Sequence, residues 1–185
     1  MRLCILFLIL LFSACKQKTA SPVDTLTMLQ EIDELATIEY TITKVVKASD
    51  NKTWFKPGDR KILINTEAVV KAGIDMKGIT EKDISRSGKT ITIHLPPPRI
   101  LSVNIPPEKI KVAFEKVTMF RDPFTSKERN DLMIQAEQQI RNSGIELGIL
   151  DQAKVNTQLL LSRLLIQAGF EKVVLNYDKT TGVKQ

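Results

Sequence analysis

The chain predicts an α+β fold: a mostly antiparallel, curved sheet from the N-terminal half, packed against two C-terminal helices, with a final C-terminal strand. Three observations carry this. Between Arg60 and Ile105 apolar residues recur with period two, broken at Gly73, at Ser87-Gly88 and at Pro96-Pro97-Pro98. From Thr125 to Gly169 the spacing becomes helical. Val173-Val174-Leu175-Asn176-Tyr177 then returns to a β-rich pattern.

The first residues read as a leader. Arg2 is followed by an unbroken apolar run, Leu3 to Phe12, then by the small pair Ser13-Ala14 and by Cys15. The run fits the ~7–15 residue core of a secretory signal and is shorter than the ~20 residues needed to span a bilayer. With a cysteine directly after the small pair, Leu11-Phe12-Ser13-Ala14-Cys15 resembles a lipobox, with Phe12 where a leucine is usual. The competing readings are a non-lipidated leader and an uncleaved anchor. Cys4 lies inside the leader, so the mature chain has Cys15 as its one thiol and forms no internal disulfide. The expected organisation is a signal peptide over 1–14, the lipidated cysteine and tether over 15–24, one α+β domain over 25–178 and a disordered tail over 179–185. Lys16 to Pro22 is polar and reaches about 20–25 Å when extended, at ~3.3–3.6 Å per residue.

The elements follow in order. Asp24 or Thr25 can cap a short amphipathic helix carrying Leu29, Ile32 and Leu35-Ala36. Ala36 to Ile42 alternates and predicts a strand with Ile38, Tyr40 and Ile42 on its apolar side. Ser49 to Asp59 reads as a loop closed by Pro57-Gly58-Asp59. Ile62, Ile64, Thr66, Ala68, Val70 and Ala72 line one face of the next strand, with Glu67 and Lys71 on the other. Gly73 marks positive φ or close packing, and Ile74 turns back inward. Thr80 to Asp83 forms a single helical turn. Ser87-Gly88 is a hairpin signal, and Thr90 to Leu95 alternates up to the prolines, which cannot donate to a ladder. Ile100 to Ile105 and Ile110 to Phe114 add two strands around Pro106-Pro107.

Thr125-Ser126-Lys127-Glu128 is a capping box, opening a helix with Leu132, Met133, Ala136 and Ile140 on one face. Gly144 and Gly148 punctuate it. Asp151 can cap a second helix that buries Leu160, Leu161, Leu164, Leu165 and Ala168. Gly169 is a helix-terminating signal.

With these motifs in place, the chain resembles the domain-of-unknown-function family 4230. The resemblance rests on Val70-Lys71-Ala72-Gly73-Ile74-Asp75, on Ile91-Thr92-Ile93-His94-Leu95-Pro96-Pro97 with Ile100-Leu101-Ser102, and on the alanine-rich helix pair. Leu35 to Tyr40 and Gly58-Asp59-Arg60-Lys61 also fit. It implies an α+β domain of the bacterial envelope, at a membrane, and brings no catalytic residues.

The 185 residues, 43% hydrophobic and 26% charged, suit one domain with a core. The formal charge of +6 is interspersed with carboxylates and few aromatics, which argues against a nucleic-acid partner. His94, the one histidine, alternates away from Ile93 and Leu95 and has no second ligand nearby in sequence. Ser49-Asp50-Asn51-Lys52 satisfies S-x-x-K and S-D-N at once, but the K-T-G that accompanies them in penicillin-binding enzymes is absent, so the overlap is read as chance. Scattered carboxylates such as Glu67, Asp75 and Asp83 read as solvated or capping rather than metal-binding. The triple proline reads as a rigid connector rather than a recruiting motif. No catalytic residue, metal or cofactor is expected.

Two residues stand apart. Trp54-Phe55 places two large rings inside a polar loop, where strand alternation does not demand burial. They fold over the sheet edge as satellite core or serve as candidate partner contacts. The expectation is a non-enzymatic binding or structural protein of the cell envelope. It would be held through acyl chains on Cys15, facing the periplasm from the outer membrane of a Gram-negative bacterium, with an envelope protein as partner. Two alternatives are a carrier of a small apolar ligand and a hydrolase whose carboxylates converge only in the fold.

Overall fold

The computed structural model describes Thr25, 27–29, Glu31, 34–50, 57–118 and 120–177. Among the described residues, seven strands and two long helices form in the order β1 (Glu34–Asp50), β2 (Arg60–Asp75), β3 (Ile84–Ser87), β4 (Thr90–Leu95), β5 (Arg99–Asn104), β6 (Ile110–Val117), α1 (Ser126–Glu146), α2 (Ile149–Gln167) and β7 (Lys172–Tyr177). The architecture is the α+β one expected, with the strands divided between two sheets.

The larger sheet is built on the long antiparallel hairpin β1–β2, which pairs from Glu34↔Asp75 to Asp50↔Arg60. The other edge of β2 is shared end to end. β6 takes Arg60 to Thr66, and β5 takes Val69 to Gly73, both antiparallel. The Pro106-Pro107 break falls between them, where prolines cost no ladder bond. The smaller sheet has the order β3-β4-β7. Its β3–β4 hairpin turns through Gly88 at φ 58 and Lys89, and β7 lies parallel to β4.

The alternation read for β2 holds residue by residue: Ile62, Ile64, Thr66, Ala68, Val70 and Ala72 are all buried, and Ile74 returns inward. In β1 a bulge between Ala36 and Ile38 breaks the parity, so Leu35 is buried while Ala36 is exposed, and burial resumes at Ile42 and Val46. This corrects the expected short helix, because Leu35-Ala36 belong to β1. It also corrects the loop boundary, since Ser49 and Asp50 still pair with Lys61 and Arg60. Thr25 and 27–29 are helical, with Leu29 fully buried.

The helices cover one face of the larger sheet. α1 begins at the expected box, with Thr125 Oγ1 accepting from the Glu128 amide and the Glu128 carboxylate accepting from the Thr125 amide. It buries Leu132, Ala136, Ile140, Ser143 and Gly144. Gly148 at φ +77, not Asp151, occupies the cap of α2, and Asp151 sits inside its first turn. The buried row of α2 is Ile149, Ala153, Thr157, Leu161 and Leu165, and Leu160 is exposed. Thr157 faces the bulge: the Thr37 hydroxyl donates to the Ala153 carbonyl at 3.0 Å, and the Thr37 carbonyl accepts from Asn156 Nδ2 at 2.9 Å. α2 therefore plugs the irregular stretch of β1, where ladder bonds are lost. It ends as expected, with Gly169 at φ 99 and the Phe170 amide donating to the Leu165 carbonyl.

Three clusters fill the interior. The first joins Leu29, Leu35 and the smaller sheet to Leu161, Leu165 and Phe170. The second packs the middle of the hairpin against Ile140, Ile149 and Ala153. The third packs the far end of the hairpin against Phe124, Leu132 and Ala136.

Candidate functional site

The triple proline links β4 of the smaller sheet to β5 of the larger one. With no amide hydrogens and fixed φ, Pro96-Pro97-Pro98 cannot fold back into either ladder, so the two sheets diverge there. The α1–α2 turn closes the third side, leaving a cleft of about 580 Å³. Its apolar surface comes from the prolines and from Ile79, Ile100, Ile145 and Leu150. Polar groups reach it from five elements: Asp75 on β2, Asp83 on the turn Glu81–Asp83, His94 on β4, Arg99 on β5 and Arg141 on α1. Its volume is that of a small-ligand site.

The carboxylates in the cleft are already engaged. Asp75 accepts from Arg99 at 2.6 Å and from the Lys77 amide at 3.1 Å. Asp83 accepts from the hydroxyl of Thr80 at 2.7 Å and its amide at 2.8 Å, closing the expected turn. The Thr80 hydroxyl, then its amide, holds the Asp83 carboxyl below its ordinary range, with His94 a smaller contributor. Arg99 also lies 3.6 Å from Glu34. Arg141 has one long ion pair, 3.4 Å to Glu137 within its own helix. His94 is exposed, as its alternation required.

A second polar cluster ties the Asp50–Arg60 end of the hairpin to α1. Arg60 donates to Asp50 at 3.3 Å and to both Glu128 oxygens, while its guanidinium lies 4.7 Å from the centre of the Phe124 ring. Arg121, whose side chain is 8% exposed, also donates to Asp50. Burial alone would raise the Asp50 carboxyl, but the hydrogen bonds and charges of Arg121 and then Arg60 bring it below its usual value. Ser49-Asp50 thus ends a strand, and Asp50 serves an ion-pair network.

Glu128 is drawn down to about 2, first by the Arg60 hydrogen bond and then by the Thr125 amide and hydroxyl. A carboxylate depressed in the folded state stabilises above its unfolded pKa and loses that contribution as pH falls through its folded pKa. The wild-type unfolding midpoint is therefore expected to fall between about pH 4.5 and about pH 2, with part of that decline belonging to Glu128. Glu128→Gln should have a lower midpoint near neutrality and a shallower acid decline, measured by thermal melts across that range. Parallel curves for the two proteins would remove Glu128 from the acid response.

Cys15, Trp54 and Phe55 lie outside the described residues, as do Asn51 and Lys52. Among the described residues no group of three or more His, Cys, Asp or Glu side chains is placed to hold a metal ion. No helix among them is long and apolar enough to cross a membrane. In the sequence His94, Asp75 and the prolines stand as unrelated features, and nothing there singles out Arg99 or Arg141. The nearest available signal is the triple proline, because a rigid break between two strands forces their ends apart. The family model described as Protein of unknown function (DUF4230) matches residues 27–175, while no curated protein and no solved structure matches.

Proposed function

The chain belongs to the DUF4230 family, and on that premise we propose that it is a lipid-anchored, periplasm-facing protein of the bacterial envelope that binds or supports another envelope component without catalysing a reaction. The observation that carries this reading is Cys15 placed directly after the small pair that ends an unbroken apolar run. Residues 1–14 are the leader, and acyl chains on Cys15 hold the protein in the outer membrane of a Gram-negative cell. Each buried methylene contributes about 0.8 kcal/mol, so several chains make the attachment effectively permanent. Residues 15–24 tether one domain over 25–178, and 179–185 trail from it. Trp54 and Phe55 are the proposed partner contacts.

The carboxylates of the cleft do not favour a general-acid role. A general acid in a hydrolase needs its pKa raised toward neutrality, whereas Asp83 is held low and Asp75 is engaged by Arg99. The cleft favours a second reading, a carrier of a small ligand. Its mixture of apolar walls and cations fits an amphipathic ligand better than a purely apolar one.

One experiment with two arms tests the anchored-partner reading. Metabolic labelling with a fatty-acid analogue should mark the wild-type chain and not Cys15→Ser, and label on the variant would end the anchor assignment. Crosslinking in intact cells should recover an envelope protein with the wild type and less of it with Trp54→Ala, Phe55→Ala. Equal recovery would remove the two rings from the interface.

A further inference from the structure

We infer that the cleft between the two sheets is a binding site for a small amphipathic anion, one carboxylate or phosphate group on a compact apolar body, with Arg141 and His94 receiving the anion. The inference rests on the cleft and not on the anchor at Cys15.

The fold satisfies some polar groups of the cleft and leaves others for a ligand. Asp75 has Arg99 and the Lys77 amide, and Asp83 has the two groups of Thr80. Asp75 therefore has its counter-cation in Arg99, while Asp83 is held by neutral donors with the His94 ring nearby. Arg99 is shared between Asp75 and Glu34. Arg141 is different. Its one ion pair is at 3.4 Å along its own helix, a geometry worth little at a surface, and its side chain is only 34% exposed. A guanidinium offers five donors, so most of its capacity remains for a ligand in the cleft it lines. His94 lines the same cleft from β4 and supplies a further ring nitrogen. Apolar surface lines the same cleft: the three prolines, Ile100, and Ile145, 49% exposed one helical turn beyond Arg141. An anion alone would leave these walls wet, and an uncharged body would leave most of the Arg141 donors unused. An anion carried on an apolar body meets both demands.

His94 is the one histidine of the chain, so a 13C label at histidine Cε1 gives a single resonance reporting on the cleft. The full-length protein in lipid nanodiscs would be titrated with hexanoate and hexyl phosphate. Acetate, inorganic phosphate, hexanol and hexylamine are the comparisons. We expect saturable movement of the His94 signal with hexanoate or hexyl phosphate, and the preference between them identifies the anionic group. Acetate and phosphate should be weaker by about tenfold or more, since the methylenes are then missing. Arg141→Gln should weaken binding by about tenfold or more. Ile145→Ser should weaken hexanoate while leaving acetate unchanged. Equal responses to hexanoate and acetate, a preference for hexylamine or hexanol, unchanged binding in Arg141→Gln, or no movement with any probe would each overturn the assignment.

Discussion

Gly73→Ala is expected to destabilise the protein by about 3 kcal/mol or more and to lower its melting temperature by roughly 10 °C. Gly73 pairs with Ala36 on one side and Arg99 on the other, at the point where the β1 bulge begins. A Cβ built there would lie 1.9 Å from the Leu35 carbonyl oxygen, 2.7 Å from its carbon and 2.9 Å from Ala36 Cα. All three are backbone atoms, so no side chain can swing aside, and the ladder or the bulge must move. The clash and not the backbone angle selects glycine here, because Gly73 is not among the positive-φ glycines. Gly148 is the useful contrast. It sits at φ +77, and a methyl added there would meet nothing within 4 Å, so Gly148→Ala should cost only about 1–2 kcal/mol of left-handed strain. Thermal melts of both variants test the ranking. If Gly73→Ala melts as the wild type does, β1 is free to retreat and the bulge is not a fixed part of the fold.

The same region shows how far periodicity carries. β2 was legible in full because it is covered on one face only, so each inward position had to be apolar or, at Thr66, bonded: its hydroxyl donates to the Lys44 carbonyl. The capping box at Thr125 and the stop at Gly169 were legible because each is local chemistry, complete within a few residues. The bulge at Thr37 was not, since one inserted residue reverses the parity without changing composition. In α2 the run Leu159-Leu160-Leu161 offers more than one apolar stripe. The fold chose the row through Ala153 and Thr157, where small side chains let the helix approach Thr37. Neither the partition into two sheets nor the parallel pairing of β4 with β7 is written in any short stretch. The cleft was hidden for the same reason. Its polar groups come from Asp75 to Arg141, and only the divergence of the sheets brings them together.

Phe170→Ala is expected to cost about 3–5 kcal/mol, the range for a large ring removed from a packed interior. Phe170 is 2% exposed and directly follows the left-handed Gly169, which turns the chain so that the ring enters the cluster of Ile91, Ile93, Leu161 and Leu165. The Arg86 guanidinium lies 5.3 Å from the centre of the ring and comes from β3, the far strand of the smaller sheet. One side chain therefore joins the end of α2 to the smaller sheet. Immediately after it, the Glu171 and Lys172 amides donate to the Lys89 carbonyl and start the parallel pairing of β7 with β4. Losing the ring should loosen that sheet before the larger one, whose helices pack through two other clusters. Hydrogen exchange should accelerate in β3, β4 and β7 more than in β1 and β2. Because His94 rides on β4, hexanoate binding in the cleft should weaken in the same variant even at temperatures where it remains folded. A melting temperature within a few degrees of wild type, with exchange in β4 unchanged, would mean that Phe170 does not hold the smaller sheet in place.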